Sequence, residues 1–235
     1  MMSVMPVSPE KRVAGIAGCA LWALAILLPV WASAAVNPQQ ELVDEAQATV
    51  EAFNTDAGTK EALHTLGPET RAIFILPDFF RWGFLVGGAS GKGLLIVRDE
   101  KTGRWSQPVF YNVASMNIGA QVGTDVSEII VVVRSKKGVE QFYSAGFKLG
   151  ASAGLAAGPT GTGTSTHGLS ADMVAYARKK GLFAGVALGG AVVTVAENEN
   201  GAYYGRSATP REIIEGSVTN PRSLELGHVT RKLFE

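Results

Sequence analysis

The 235-residue sequence predicts an α+β domain rich in antiparallel sheet, in a barrel-like or two-layer arrangement with flanking helices. Three observations carry that expectation. Apolar residues recur at helical spacing near both ends of the chain. Between residues 71 and 195 they fall in short runs broken by glycine. Hydrophobic residues make up 46% of the chain, enough to fill a core, and the length suits one sizeable domain. The 21 basic and 21 acidic residues cancel, which argues against a protein that coats nucleic acid through bulk charge. A single cysteine excludes an internal disulfide framework and a multi-cysteine zinc site. His64, His167 and His228 offer no local metal-ligand spacing. No cofactor is expected.

Residues 1–34 read as an export signal. Lys11 and Arg12 precede an apolar run from Val13 to Trp31, and Ala32-Ser33-Ala34 supplies small residues for cleavage after Ala34. Less favoured are an uncleaved membrane anchor, for which the run is long enough, and a lipoprotein modified on Cys19 after Ile16-Ala17-Gly18. A strongly apolar stretch follows Cys19, whereas a lipidation motif normally closes such a stretch. The expected protein is exported, to the periplasm or associated with the cell envelope, with residues 35–235 forming one domain and a short C-terminal tail.

The domain opens with a helix over residues 36–56. Leu42 or Val43, Ala46, Val50 and Phe53 share one face, Pro38 suits the first turn, and the polar positions carry acids but no Lys or Arg. Helices that lie on membranes are usually basic, so this one is expected to pack on the core. A second helix spans Thr59 to Leu66 and ends at Gly67-Pro68. Strand patterns follow: Ala72 to Leu76, stopping at Pro77; a Gly-punctuated stretch from Trp82 to Val97; then Gln107 to Val113, Ser115 to Val122 and Glu128 to Arg134. A short helix is expected around Val139, Phe142 and Tyr143, then a Gly-spaced segment and a Gly/Thr-rich loop over residues 158–168. Strands resume at Met173 to Lys179, Leu182 to Leu188 and Ala191 to Val195. Thr209-Pro210-Arg211-Glu212 is a capping box, and Leu226, Val229, Leu233 and Phe234 suggest a last helix.

Two patterns recur. Gly83 through Val97 echoes Gly181 through Val195, which suggests two similar hairpins, each followed by a charged turn ending at Gly103 or Gly201. Glycines at 83 and 87, 119 and 123, 146 and 150, and 181 and 185 repeat at spacing four, which would keep each pair on one strand face.

Catalytic motifs are weak. Gly88-Ala89-Ser90-Gly91-Lys92-Gly93 is not a phosphate loop, because Val86 stands where a Gly is required and Gly93 where Ser or Thr is required. Ser90 lacks the second Gly of a nucleophile elbow, its place being taken by Lys92. His167 could be a base for Ser165 or Asp172, but nothing else supports a triad. Asp78, Asp99, Asp125 and Asp172 are dispersed, so a paired-carboxylate site is unsupported. An enzyme is not expected.

Basic residues are more suggestive. Lys92, Arg98, Lys101 and Arg104 lie on one expected hairpin; Arg134, Lys136 and Lys137 end a strand; Arg178, Lys179 and Lys180 end another. On one edge of the domain, near Trp82, Trp105 or Tyr176, they would form a cationic patch able to hold lipid phosphates. Ordinary solvated turns are the plainer reading.

The ordered set of short motifs resembles the SYLF domain, the Ysc84-type actin-binding or lipid-binding domain. The matching pieces are Ile73-Phe74-Ile75-Leu76-Pro77, Gly83-Phe84-Leu85-Val86-Gly87-Gly88 with Gly91-Lys92-Gly93, Trp105-Ser106-Gln107-Pro108, and Gly119-Ala120-Gln121-Val122-Gly123. They continue with Lys148-Leu149-Gly150, Ala156-Ala157-Gly158-Pro159, Tyr176 through Gly185, and Tyr204-Gly205. The resemblance spans about residues 40 to 216. It implies a non-enzymatic domain that binds phosphoinositides or other anionic phospholipids, with actin binding in eukaryotic members and export in bacterial ones. Eukaryotic members use a basic N-terminal helix for lipid, whereas the helix here is acidic. Actin is an unlikely partner for an exported bacterial protein. The resemblance therefore implies an anionic phospholipid as partner at the cell envelope. The alternative is an envelope scaffold that meets a protein partner without lipid.

Overall fold

The computed structural model describes residues 37–84, 86–118, 123–158, 171–179, 182–183 and 188–234. The segment read as an export signal, the loop holding Ser165 and His167, Gly119, Lys180, Gly181 and Gly185 lie outside them. Among the described residues no helix is long and apolar enough to cross a membrane.

Helix α1 (Pro38–Thr55) begins where Asn37 Oδ1 accepts from the backbone N–H of Gln39 at 3.0 Å and of Gln40 at 3.1 Å. Pro38 stands at its start, where a missing N–H costs nothing. Helix α2 (Ala57–Leu66) starts the same way, with Asp56 Oδ1 accepting from Thr59 N–H at 3.1 Å. Leu42, Val43, Ala46, Val50 and Phe53 of α1 are buried as the spacing predicted, and Leu63 and Leu66 of α2 are buried in the same cluster.

The sheet contains β1 (Ala72–Phe84), β2 (Val86–Val97), β3 (Val109–Ile118), β4 (Gly123–Val133), β5 (Gly146–Lys148), β6 (Leu155–Ala157), β7 (Met173–Lys179), β8 (Leu182–Phe183) and β9 (Val192–Val195). Eight strands run in the order β5-β9-β3-β2-β1-β4-β7-β6, and β8 pairs with β7 off that path. Every pairing is antiparallel except β6 with β7. The sheet curls into a half-barrel with helices against it, the α+β class that the sequence predicts.

Both faces of its central strands are buried. Ala72, Phe74 and Leu76 of β1 face one cluster; Ile73 and Ile75 face the other. The first cluster includes Val139 and Phe142 at helix α3 (Lys136–Gln141), Leu149, Ala153 and Leu188 from connecting segments, and Ile213 of helix α5 (Pro210–Ile214). The second is closed by α1, α2, helix α4 (Glu197–Tyr204) and helix α6 (Leu224–Phe234). We call this second side the helix face. Thr209 and Glu212 form the reciprocal capping box expected at α5. Thr209→Ala should lower stability by about 1 kcal/mol in urea denaturation, with the sheet intact by circular dichroism.

The structure departs from the sequence reading at four places. The strand does not stop at Pro77: β1 runs on to Phe84 through a bulge. In the β2 ladder Ile75 pairs with Leu94 and Asp78 with Lys92; in the β4 ladder Leu76 pairs with Ile129 and Phe79 with Ser127. A bulge leaves one residue unpaired, so proline's missing N–H is tolerated there. The described parts of the stretches read as two strands, Gln107 to Val113 and Ser115 to Val122, join in one strand, β3. The charged stretch read as a turn ending at Gly201 is helix α4.

The fourth departure is the sequence echo, which is no structural repeat. Val86–Val97 is one continuous strand, whereas the described parts of its counterpart are the two-residue β8 and the separate β9, and β8 pairs with β7. The glycine spacing also has another meaning. Gly83 stands opposite both Gly87 and Gly123, forming a row across β2, β1 and β4.

Candidate functional site

Strand pairing brings three arginines to one end of the sheet. Arg71 precedes β1, Arg98 follows β2 and Arg134 follows β4, and these strands are neighbours. The backbone locks them in register: Arg71 N–H donates to Val133 O at 2.9 Å, and Arg98 N–H donates to Arg71 O at 2.7 Å. Around them opens a cleft of about 530 Å³, lined by Pro68, Glu69, Thr70, Asp99, Glu100 and Gly103 besides the arginines. A smaller hollow of about 230 Å³ beside it reaches Lys136, Val139 and Tyr143.

The guanidinium groups are held in place. Arg71 pairs with Glu100. Arg134 pairs with Glu69, its Nε donating at 2.9 Å, and donates from Nη1 to Ala171 O at 3.3 Å. Arg98 Nη1 donates to Gly67 O at 3.1 Å, tying the sheet end to the end of α2. The turn from Asp99 to Gly103 is built by Asp99 Oδ1, which accepts from Lys101 N–H at 3.0 Å, Thr102 N–H at 2.6 Å and Thr102 Oγ1 at 2.8 Å. Those bonds hold the Asp99 carboxyl below its ordinary value. Gly103 closes the turn at φ 68°, in the left-handed region that favours glycine.

Asp172 supports the same end. Its carboxylate lies below its ordinary value because the Ser135 hydroxyl and then the Gly154 N–H donate to it, the latter at 2.8 Å. Its carbonyl accepts from Arg134 N–H at 2.8 Å. A depressed carboxyl contributes stability that is present above its unfolded value and lost as pH falls through its folded value. Asp172→Asn should therefore be less stable than the parent by about 1 kcal/mol near neutral pH. The difference should shrink as pH falls below the ordinary carboxylate range and the parent's carboxyl takes up its proton. Urea denaturation across pH checks this.

Two of the three basic clusters meet here. Arg98, Lys101 and Arg104 come from the β2–β3 turn; Arg134, Lys136 and Lys137 come from the end of β4 and the start of α3. Lys101, Arg104, Lys136 and Lys137 are all exposed. Arg71, between the clusters, was not singled out from sequence; only strand pairing places it in line with Arg98 and Arg134. Trp105 stands near this end, bridged to Arg98 and stacked on Phe234 at 5.9 Å between ring centroids.

The remaining basic residues lie elsewhere. Lys92 is in mid-strand, bonded to Glu199 of α4 at 2.8 Å, which holds that carboxyl below its ordinary value. Arg178 Nε lies 2.9 Å from Glu128 Oε2 and away from the cleft, because β7 runs antiparallel to β4. Burial pushes the Glu128 carboxyl up against the pull of Arg178. The Lys179 side chain and Lys180 lie outside the described residues. Tyr176 is buried, and Trp82 belongs to the far end of β1. Ser90 is exposed on β2 between Phe80 and Ala114, its direct cross-strand neighbours. Among the described residues no group of three His, Cys, Asp or Glu could hold a metal ion.

These features define a class: a mostly antiparallel half-barrel with helices packed on both faces and an arginine-lined cleft at its strand ends. The chain belongs to the Ysc84 family, whose model, described as Las17-binding protein actin regulator, matches residues 114–232. That stretch runs from β3 to α6, whereas β1 and β2, which complete the same sheet, precede it. An SH3 domain-containing protein of Schizosaccharomyces pombe is 34% identical over 157 residues, covering 64% of this chain and 36% of the relative. Protein YSC84 of Saccharomyces cerevisiae is 34% identical over 146 residues, covering 59% of this chain and 31% of the relative. The human SH3 domain-containing YSC84-like protein 1 is 30% identical over 147 residues, covering 61% and 43%. The chain thus spans less than half the length of these relatives, two of which are named as SH3 domain-containing proteins.

Proposed function

We propose that this protein is a non-enzymatic binding domain that attaches to anionic phospholipid surfaces through the arginine-lined end of its sheet. The observation that carries the reading is the convergence of two sequence-distant basic clusters, with Arg71 between them, around one open cleft. Ion pairs to Glu100 and Glu69 hold Arg71 and Arg134, respectively, in place. The exposed Lys101, Arg104, Lys136 and Lys137 surround them and can meet headgroup phosphates, each contributing about 1 kcal/mol near an anionic surface. The site within the cell is the envelope, reached by the export signal at residues 1–34.

Co-sedimentation with phosphatidylglycerol vesicles tests this. Binding should weaken as salt rises. Lys101→Glu, Arg104→Glu and Lys137→Glu together should weaken it by about 100-fold, three contacts of about 1 kcal/mol each being removed. Lys92→Gln should leave it unchanged. Binding insensitive to both salt and the triple variant would reject this site.

A second reading is a protein-interaction domain, favoured by the family description and by relatives named for Las17 binding. Lipid-independent capture of one partner, with actin filaments included among those tried, would favour it.

A further inference from the structure

The helix face of the sheet is covered over only part of its length. Near the arginine end it is sealed by α1, α2 and α6. Beyond the Pro77 bulge a row of charged residues crosses it: Lys92 opposite Asp78 in β2 and β1, and Glu128 opposite Arg178 in β4 and β7. Past that row the same face carries apolar side chains. One row runs Val192, Ala114, Ser90, Phe80, Val126 from β9 to β4; the next runs Met116, Gly88, Trp82, Thr124. Directly opposed residues point to the same face, so these form one surface. Met116 is 87% exposed, Trp82 45%, Phe80 41%, Val126 40% and Val192 37%. They are five of the six large hydrophobic residues that are exposed among those described; the other is Leu224. Their concentration on one half-face is what calls for explanation, since scattered apolar residues are normal.

The aromatic pair is arranged. Phe80 and Trp82 stack with ring centroids 5.7 Å apart. The indole lies across Gly88, where an added Cβ would come within 2.6 Å of Trp82 Cζ2. Glycine thus lets the indole lie flat against the strand while its outer side remains in solvent.

We infer that this half-face enters the hydrocarbon boundary of a phospholipid bilayer. What selects a bilayer as occupant is the distribution of charge. The sequence stretches 82–91, 105–124 and 181–196 contain no Asp, Glu, Lys or Arg. They include the described residues of β2, β3 and β9 that carry the surface. Most of the nearest charges are paired, and the exposed Asp78 lies on the bordering row rather than on the apolar surface. Lys92 pairs with Glu199 of α4, Arg178 with Glu128 on the bordering row, and Arg81 with Asp125 on the opposite face at 2.9 Å. A partner surface of mixed chemistry would find no charged group here to pair with. An aromatic pair and a thioether bordered by ion pairs match an interface that is apolar on one side and wet on the other. The inference rests on the lipid-surface reading above but assigns a second contact, driven by apolar burial, to the other end of the sheet. At about 3.3 Å per residue, Arg71 and Trp82 lie roughly 35 Å apart along β1.

The test uses the full chain with Cys19→Ser and Met116→Cys, labelled at residue 116 with a polarity-sensitive fluorophore. A second sample carries the label at Lys101→Cys. Both are mixed with phosphatidylcholine vesicles, with and without phosphatidylglycerol, whose acyl chains are brominated. The expected result is a blue shift and at least two-fold quenching at residue 116 that persists in high salt, with little quenching at residue 101. Adding Phe80→Asp and Val126→Asp should abolish the quenching. Vesicle-bound protein quenched at neither label, or at residue 101 alone, overturns the inference while leaving charge-dependent attachment standing. Failure to bind either vesicle overturns both. A blue shift without lipid that follows the formation of a dimer would assign the face to a second copy and overturns it as well.

Discussion

Replacing Asn200 with alanine should lower the unfolding free energy by about 3 kcal/mol, a large share of the stability of a domain this size. Asn200 is fully buried on α4. Its Oδ1 accepts from Phe110 N–H at 3.0 Å, and its Nδ2 donates to Phe110 O at 3.1 Å and Ala196 O at 3.0 Å. The side-chain amide acts as one residue of an adjoining strand, sealing β3 where β9 has ended. Alanine would leave a buried N–H without its acceptor and two carbonyls short of a donor, at about 1 kcal/mol for each bond lost. Asn200→Asp should be at least as damaging near neutral pH, because a carboxylate would face two carbonyl oxygens, and should recover partly in acid. Urea denaturation with unchanged m-value is the measurement. A loss below about 0.5 kcal/mol for the alanine variant would mean that water takes over these bonds.

Gly93→Ala should cost about 3 kcal/mol for the addition of a single methyl group, at the upper end for overpacking. A Cβ at residue 93 would lie 2.6 Å from Phe74 Cζ and 3.0 Å from Ile75 O. Phe74 cannot withdraw, being packed against Tyr111 and Phe142 at 5.9 and 5.2 Å, while Tyr111 Oη donates to Phe142 O at 2.6 Å. The backbone cannot shift either, because Gly93 stands opposite the Pro77 bulge. Phe74→Leu should partly relieve the clash, so the double variant should cost less than the sum of the two singles. Strict additivity would show that the strain lies in the bulge and not against the ring.

Both sites explain where sequence and structure part. Helices α1, α2, α5 and α6 were legible because apolar spacing and capping residues are local signals. Pro77 was misread as a strand end because only the partner strand reveals a bulge, with Gly93 as the residue that accommodates it. The stretch Glu197 to Gly201 looks like a turn by composition. It is helical because Asn200 finds its partners on β3 and Tyr203 packs on Phe110 at 5.0 Å, contacts some ninety residues distant in sequence. Arg98 and Arg134 could be read as strand ends, but their meeting, with Arg71 between them, depends on the order β2-β1-β4. The uncovered apolar half-face was invisible for a related reason: alternation marks which residues share a face, not whether a helix reaches far enough to cover it.

The most direct test of the account is an amide NMR titration with bicelles containing phosphatidylglycerol. Shifts are expected over residues 98–105 and 134–138 that shrink as salt rises, whereas changes at Lys92 and Arg178, which border the apolar half-face, should persist in salt. Unchanged amides over both segments at saturating bicelle would contradict it.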